Sequence, residues 1–404
     1  MPCFVCKREK LHKFLDLGQQ PPSDAFLRKE DLGKPEARFP LSLYFCETCG
    51  LVQLGTVVDP TVLFTEYVYT TGMNNSLRAN FKALVEKLIK RFNIGKNDFA
   101  VDIGSNDGTL LENYMGAGVK ILGIDPSSAG EIAKKRGIPT LTAFFNEQTA
   151  KQVAEQQGTA KLITATNVFA HMPDVDSFMQ GIKLLLRPDG VFVSESGYLL
   201  DMIETLGYDA VYHEHLRYYS LKPLQRLFEG HSMEIFDVER IPSHSGSIRV
   251  YAGHKGAHEV QVSVAKLLQE EEHAGLYKKD TFVKFGKRAH AHKEELKALL
   301  QELKLTGNRI VGIGAPAKGN TLLNFAALGP EIVDSLLEKS ELKIGLYAPG
   351  THIPVVGEEL LFEEQPDFAL LLSWNLADEL VAKLKGKGYK GKFVIPFPQP
   401  RIIG

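Results

Sequence analysis

All four cysteines of this 404-residue chain fall into two C-x-x-C pairs, Cys3/Cys6 and Cys46/Cys49, and none is left over. One such knuckle lets two thiolates converge on an ion, and two knuckles complete a tetrahedral all-sulfur shell of the kind zinc prefers. Two disulfides or a redox pair are the competing readings. A redox motif does not explain the doubling, and the start Met1-Pro2-Cys3 carries no signal peptide, which points to a reducing, cytoplasmic setting. A shell closed by Cys3, Cys6, Cys46 and Cys49 offers no open position to a substrate. The expected zinc is therefore structural, and it staples a small module with little core of its own.

The rest of the chain is long enough for two further domains, and no internal repeat is visible. With 44% hydrophobic and 24% charged residues it can bury large cores, and 47 basic against 49 acidic residues exclude a nucleic-acid binder held by bulk charge. The longest apolar runs, such as 368–374, fall far short of the roughly 20 residues a membrane span needs. Residues 1–59 are rich in turns and read as a zinc-stapled lid. A helix is expected at 76–92, where Leu77, Phe81, Leu84, Leu88 and Phe92 recur at helical spacing. Strand-like runs at Phe99–Ile103, 119–124, 162–165 and 191–195 then alternate with helical patterns at 129–136, 148–156 and 175–186, the signature of a parallel α/β sheet. Long helices are expected across 258–305, followed by a second alternation starting at Arg309 and ending near Ile395. The run Glu270-Glu271-Glu272 reads as a solvated helix face without a role.

Two glycine-rich turns stand at strand ends. In the first, Val101-Asp102-Ile103-Gly104-Ser105-Asn106-Asp107-Gly108, the strand runs into a tight turn, and Asp125 closes the next strand, placed to take both hydroxyls of a ribose. An Asp ahead of the turn is also what S-adenosylmethionine-dependent methyltransferases show; Asn106 replaces the middle glycine of the usual pattern. The second turn, Gly312-Ile313-Gly314-Ala315-Pro316-Ala317-Lys318-Gly319-Asn320-Thr321, fits a dinucleotide fingerprint with Ala in third place. Lys318 and the helix N-terminus favour a pyrophosphate, whereas no clear acid closes a second strand there, Asp334 being the nearest candidate. A sugar-nucleotide pyrophosphate suits this loop better than a nicotinamide cofactor.

Between the two alternations lies Tyr212-His213-Glu214-His215, with Tyr208 and Asp209 before it and Tyr218-Tyr219 after. An imidazole is matched to proton abstraction near neutral pH, a carboxylate can fix its tautomer, and a phenol can donate to an enolate oxygen. A zinc site on His213 and His215 lacks a third ligand at convincing spacing. His171, after the fourth strand, sits on a carboxyl-end loop that would face the ligand crevice.

Taken with Tyr67-x-Tyr69-Thr70-Thr71, Pro349-Gly350-Thr351-His352-Ile353-Pro354 and Ser373-Trp374-Asn375, these motifs resemble the sugar C-methyltransferases of deoxysugar biosynthesis over nearly the whole chain. The resemblance implies an α/β protein of three parts: a zinc-binding N-terminal domain (1–65), a central Rossmann-like S-adenosylmethionine-binding methyltransferase domain (66–240) and a C-terminal Rossmann-like domain (241–404). It implies as substrate a dTDP- or GDP-linked 4-keto-6-deoxy sugar methylated at C-3 or C-5, in a monomer or weak homo-oligomer. Asp102, Gly104, Ser105, Asn106, Asp125, Pro126, Phe145 and Asn167 are expected to hold the cofactor. His213, Gly314, Ala315, Lys318, Asn320, Thr321 and His352 are expected to hold the sugar nucleotide. His215 would be the base and Glu214 would orient it or a neighbour, while Tyr212, His171 and one of Tyr67 and Tyr69 would surround the keto oxygen and the sugar hydroxyls. An oxygen or nitrogen methyltransferase, and a nucleotide-binding oxidoreductase or non-catalytic module, stay open as alternatives; calorimetry with S-adenosylhomocysteine and with NAD separates them.

Overall fold

The strand β1 (Leu11–Gln20) reads as part of a lid in sequence, yet Leu15 and Leu17 point inward while Asp16 and Gly18 face water, the period-two pattern of a half-buried strand. The computed structural model describes residues 1–64, 72 and 75–404. In it β1, β2 (Phe39–Cys46), β3 (Val52–Leu54) and β9 (Arg217–Tyr218) form an antiparallel sheet in that order. The N-terminal module is thus a sheet rather than a loop-rich cap, and its last strand comes from far along the chain. The helix Lys279–Leu305 crosses it, stacking Phe282 on Phe45 with ring centroids 4.6 Å apart. Gly286 permits that crossing, because a Cβ there would lie 1.9 Å from the Phe14 carbonyl oxygen.

The central sheet has the order β10 (Met233–Ile241), β11 (Ser247–His254), β8 (Leu186–Gly197), β7 (Ala160–Thr166), β4 (Phe99–Ile103), β5 (Lys120–Ile124), β6 (Thr140–Leu141). The pairs from β8 through to β6 are parallel, and β11 is antiparallel to both its neighbours. The expected boundary at 240/241 therefore cuts a hairpin in two: Ile241 pairs with Ser247 and Met233 with His254, so the central sheet runs on to His254. The helices between strands match the apolar spacing closely. Asn75–Phe92 buries Leu77, Phe81, Leu84 and Leu88, and Asn146 and Asp174 cap the helices Glu147–Gln157 and Val175–Leu185 through the amides of Thr149 and Ser177.

The third sheet is ordered β14 (Val355–Gly357), β13 (Leu336–Glu338), β12 (Ile310–Ile313), β15 (Phe368–Leu371), β16 (Lys392–Ile395), β17 (Arg401–Ile403), parallel except for β17. In each large sheet the chain leaves its first strand in one direction and later returns to the other side. This puts a topological switch point between β4 and β7 and another between β12 and β15, where open α/β sheets hold their ligands. Glu271, expected on a solvated face, is fully buried in the helix Val262–His273. Among the described residues no helix is long and apolar enough to cross a membrane.

Candidate active site

The cysteine pairs meet at one corner of the first sheet, Cys46 at the end of β2 and Cys49 in the turn before β3. The four Sγ atoms lie within 4.8 Å of one another, with Cys3–Cys49 at 3.5 Å and Cys6–Cys46 at 3.6 Å. Disulfides need about 2.05 Å. A tetrahedron of Zn–S bonds of about 2.3 Å has edges near 3.8 Å, so this donor set fits zinc.

At the β4/β7 switch point Gly104 has φ +67° and Asn167 φ +58°. A Cβ on Gly104 would lie 2.2 Å from Val168 Cγ2, so the two loops touch and only glycine fits. Asn106 also takes a positive φ, +50°, which an Asn tolerates where the usual pattern has glycine. Asp125, at the end of β5, accepts the Asn106 amide on Oδ2 (2.8 Å) and the Ser127 amide and hydroxyl on Oδ1 (2.8 and 2.5 Å). Of the about four lone-pair directions of a carboxylate, one on Oδ2 is left for a ribose hydroxyl, fewer than the bidentate contact expected from sequence. The Ser105 hydroxyl is buried with no partner among the described residues. These groups fit a nucleoside ligand. Asp102 accepts from Thr164 Oγ1 at 2.6 Å, and burial pushes its carboxyl up to about 7 against that hydrogen bond, with Asp125 adding to the rise. Pro126 follows Asp125 on the same loop and is half-buried. Phe145, expected at the cofactor, is instead a core ring packed edge-on to Phe178 at 5.2 Å, because Gly181 leaves room for it there.

The catalytic candidates occupy the stretch between the turn Tyr208–Ala210 and β9. The His215 amide closes a turn onto the Tyr212 carbonyl (3.0 Å), and its Nδ1 lies 3.1 Å from the Ala210 carbonyl. A carbonyl only accepts, so Nδ1 carries a proton, and the neutral form of the ring has its lone pair on Nε2. The Tyr212 ring lies 4.0 Å from the imidazole and the His171 ring 5.0 Å. Burial, then the neighbouring His215 and Arg217, hold His171 well below its ordinary range, so it is neutral. The Leu216 amide bonds the Ala170 carbonyl at 3.0 Å and ties the stretch to the His171 turn. The orientation of His215 thus comes from a backbone carbonyl and not from Glu214. Glu214 faces elsewhere: burial pushes its carboxyl well up, Asp24 adds to the rise, and Lys343, which bridges Asp24 (3.2 Å) and the Ala315 carbonyl (2.9 Å), opposes it. His213, expected at the substrate, is 1% exposed and donates Nε2–H to the Phe39 carbonyl (3.3 Å) on β2. Tyr67 and Tyr69 lie outside the described residues.

At the β12/β15 switch point Gly314 has φ +82°, and the Ala315 amide donates to Glu338 Oε2 at 2.9 Å. Glu338 ends β13 and is the acid that the sequence reading sought at Asp334, which instead pairs with Lys304 at 2.5 Å. Lys318 donates to Asn375 and lies 4.7 Å from the Trp374 ring centroid; burial lowers its pKa, opposed by Asp209. Trp374 Nε1 donates to Asp209 Oδ2 at 2.6 Å. Three residues expected at the sugar nucleotide prove to join domains. Asn320 donates to the Ser23 carbonyl (2.7 Å), Thr321 to the Val211 carbonyl (3.0 Å), and His352 pairs with Glu36 (2.6 Å). Sequence reasoning missed Ala210, Asp24, Lys343 and Glu338; only a Glu ending a short apolar run could have signalled the last.

Three family profiles match the chain in sequence order: a zinc binding domain over 3–64, a methyltransferase domain over 74–235 and a C-methyltransferase C-terminal domain over 242–398. The C-methyltransferase NovU of Streptomyces niveus is 33% identical over 404 residues, 99% of this chain and 96% of that protein. A ubiquinone biosynthesis O-methyltransferase of Cupriavidus pinatubonensis is 34% identical over 98 residues, 23% of this chain and 39% of its own. Among solved structures, the magnesium protoporphyrin IX methyltransferase of Synechocystis with bound S-adenosylmethionine aligns with 13% identity and a TM-score of 0.34, over 44% of this chain and 79% of its own.

Proposed function

This chain belongs to the C-methyltransferase family and is an S-adenosylmethionine-dependent enzyme, and we propose that it methylates C-3 of a dTDP- or GDP-linked 4-keto-6-deoxy sugar. The observation that carries the reading is His215, whose Nδ1 proton is committed to the Ala210 carbonyl and which packs against the Tyr212 ring. Methylating carbon first requires an acidic hydrogen, and a ring hydrogen becomes acidic only beside a ketone, where the anion spreads onto oxygen. His215 Nε2 takes that hydrogen, and the Tyr212 phenol donates to the oxygen on which charge develops. His171, held neutral at 5.0 Å, adds no competing positive charge beside the base. Bound S-adenosylmethionine supplies an electrophilic methyl on a positively charged sulfur. Gly104, Asn106, Asp125 and Asn167 would hold that cofactor at the first switch point. Gly314, Ala315 and Lys318 would hold the sugar nucleotide at the second, with the catalytic stretch between them. Cys3, Cys6, Cys46 and Cys49 would hold a structural zinc.

His215→Asn keeps much of the side chain's volume and hydrogen bonding but cannot act as a base near neutral pH. It is expected to bind both ligands nearly as wild type does while turnover falls about 100-fold or more. Exchange of the acidic sugar hydrogen in heavy water, with S-adenosylhomocysteine in place of the methyl donor, should vanish with turnover. The assay is a panel of 4-keto sugar nucleotides read by mass gain of one methyl; a variant within a few-fold of wild type moves the base elsewhere.

A further inference from the structure

Arg217 is 1% exposed, and its hydrogen bonds among the described residues run to neutral oxygens, none of them a carboxylate. Its Nε donates to the Tyr219 hydroxyl at 2.9 Å and its Nη2 to the carbonyls of Phe169 (3.3 Å) and Met172, while Nη1 is buried with no partner among the described residues. A guanidinium buried among neutral acceptors is costly, and packing alone would be served better by an apolar side chain. The carbonyls it grips bracket His171 in the turn Phe169–His171 and the residue after it.

The guanidinium carbon lies 5.1 Å from the ring centroid of Phe4, which stands between Cys3 and Cys6 in the first knuckle. Phe4 is itself fixed: its amide donates to Gln53 Oε1 at 2.9 Å, and Gln53 on β3 is the strand partner of Arg217 on β9. The metal knuckle, β3, β9 and the His171 turn therefore share one buried cation.

We propose that Arg217 is a positioning residue for the methyl-transfer reaction, clamped on Phe4 of the cysteine module and holding the His171 turn by its flanking carbonyls. The cysteine module is then part of the active-site frame as well as a folding staple. A cation over an aromatic face is attracted by the ring quadrupole, and the attraction strengthens when water is excluded. Because the guanidinium reaches the Tyr219 hydroxyl through Nε and the two carbonyls through Nη2, where an ammonium reaches as a point charge, Lys is not an equivalent replacement. Burial first, then the neighbouring His215 and Arg217, disfavour protonation of His171.

The inference rests on the sugar-methylation reading for its kinetic test, and a second measurement needs no sugar. Phe4→Leu keeps apolar volume without an aromatic face; Phe4→Tyr keeps the face. Phe4→Leu and Arg217→Lys should retain one zinc per chain and bind S-adenosylhomocysteine within about two-fold of wild type, but lose kcat about 10-fold or more at little-changed KM. Phe4→Tyr should behave as wild type. In the S-adenosylhomocysteine complex, NMR of ring-labelled histidine, assigned by its loss in His171→Asn, should show the His171 midpoint rising by roughly half a unit or more in Arg217→Gln. Wild-type kcat in both Phe4→Leu and Arg217→Lys, or an unmoved His171 midpoint, overturns the proposal. If Arg217→Gln does not fold, Phe4→Leu decides it. If wild type methylates no 4-keto sugar nucleotide, the substrate reading fails and the histidine titration still tests Arg217.

Discussion

Glu271 gives a sharp test of how the central domain is held together. Its carboxylate accepts the Tyr198 hydroxyl on Oε1 at 2.8 Å, the Tyr277 hydroxyl on Oε2, and the Leu221 amide on both oxygens at 2.7 and 3.0 Å. Leu221 opens the helix Leu221–Gly230, and Ser220, at the cap position, makes no side-chain cap bond. A residue fifty positions away therefore caps the helix that follows the catalytic stretch. In Glu271→Ala the Leu221 amide and the Tyr198 hydroxyl lose their acceptor deep inside, at about 1–3 kcal/mol each. Tyr277, half-buried, can turn to water. The expected loss is about 3–5 kcal/mol once the emptied side-chain volume is included. Glu271→Gln keeps one oxygen for Tyr198 and Leu221 and sets its amide against the Tyr277 oxygen, so it should cost only about 1–2 kcal/mol. Urea unfolding followed by circular dichroism reads the totals, and hydrogen exchange at Leu221 shows whether the loss starts at the cap. A Glu271→Ala protein within about 1 kcal/mol of wild type, or a Gln variant worse than Ala, refutes the capping argument.

Three further outcomes are expected. Asp102 has a folded pKa raised from 3.8 to about 7, so its contribution is full below about pH 4 and is lost as pH rises through about 7; unliganded Asp102→Asn should gain on wild type by up to about 4 kcal/mol over that window, and parallel stability profiles would contradict it. Asp125→Asn should weaken S-adenosylmethionine by about 1.5–3 kcal/mol, roughly 10- to 100-fold in calorimetry, because an amide cannot serve the Asn106 and Ser127 donors and a ribose hydroxyl together; unchanged affinity would remove Asp125 from the cofactor site. Cys46→Ser, or stripping the metal with a chelator, should lower the melting temperature before it changes the affinity for S-adenosylhomocysteine, since the module's folding energy is tied to the ion; a variant that melts like wild type would show the shell is not a staple.

Local pattern was enough for much of this protein. The helical spacing of Leu77, Phe81, Leu84 and Leu88 needs only a buried face, and the alternation after Phe99 needs only the period of each element, so both are written in neighbouring residues. The C-x-x-C spacing likewise encodes two half-sites, each a single turn, and the glycines at 104 and 314 announce positive φ at strand ends. What stayed hidden depends on partners distant in the chain. His213, Asn320, Thr321 and His352 have side chains suited to a ligand, but the fold spends them on Phe39, Ser23, Val211 and Glu36, because chain segments far apart in sequence close over them. Glu271 looked solvated until two tyrosines and a helix end arrived around it. Arg217 carries no motif at all. Its meaning comes from β3 pairing with β9, which brings the first knuckle against the turn of His171. A residue's propensity and periodicity act within a few positions, whereas desolvation and hydrogen-bond partnership are set by whichever segments the tertiary fold brings together, and those forces decide which polar groups remain for chemistry.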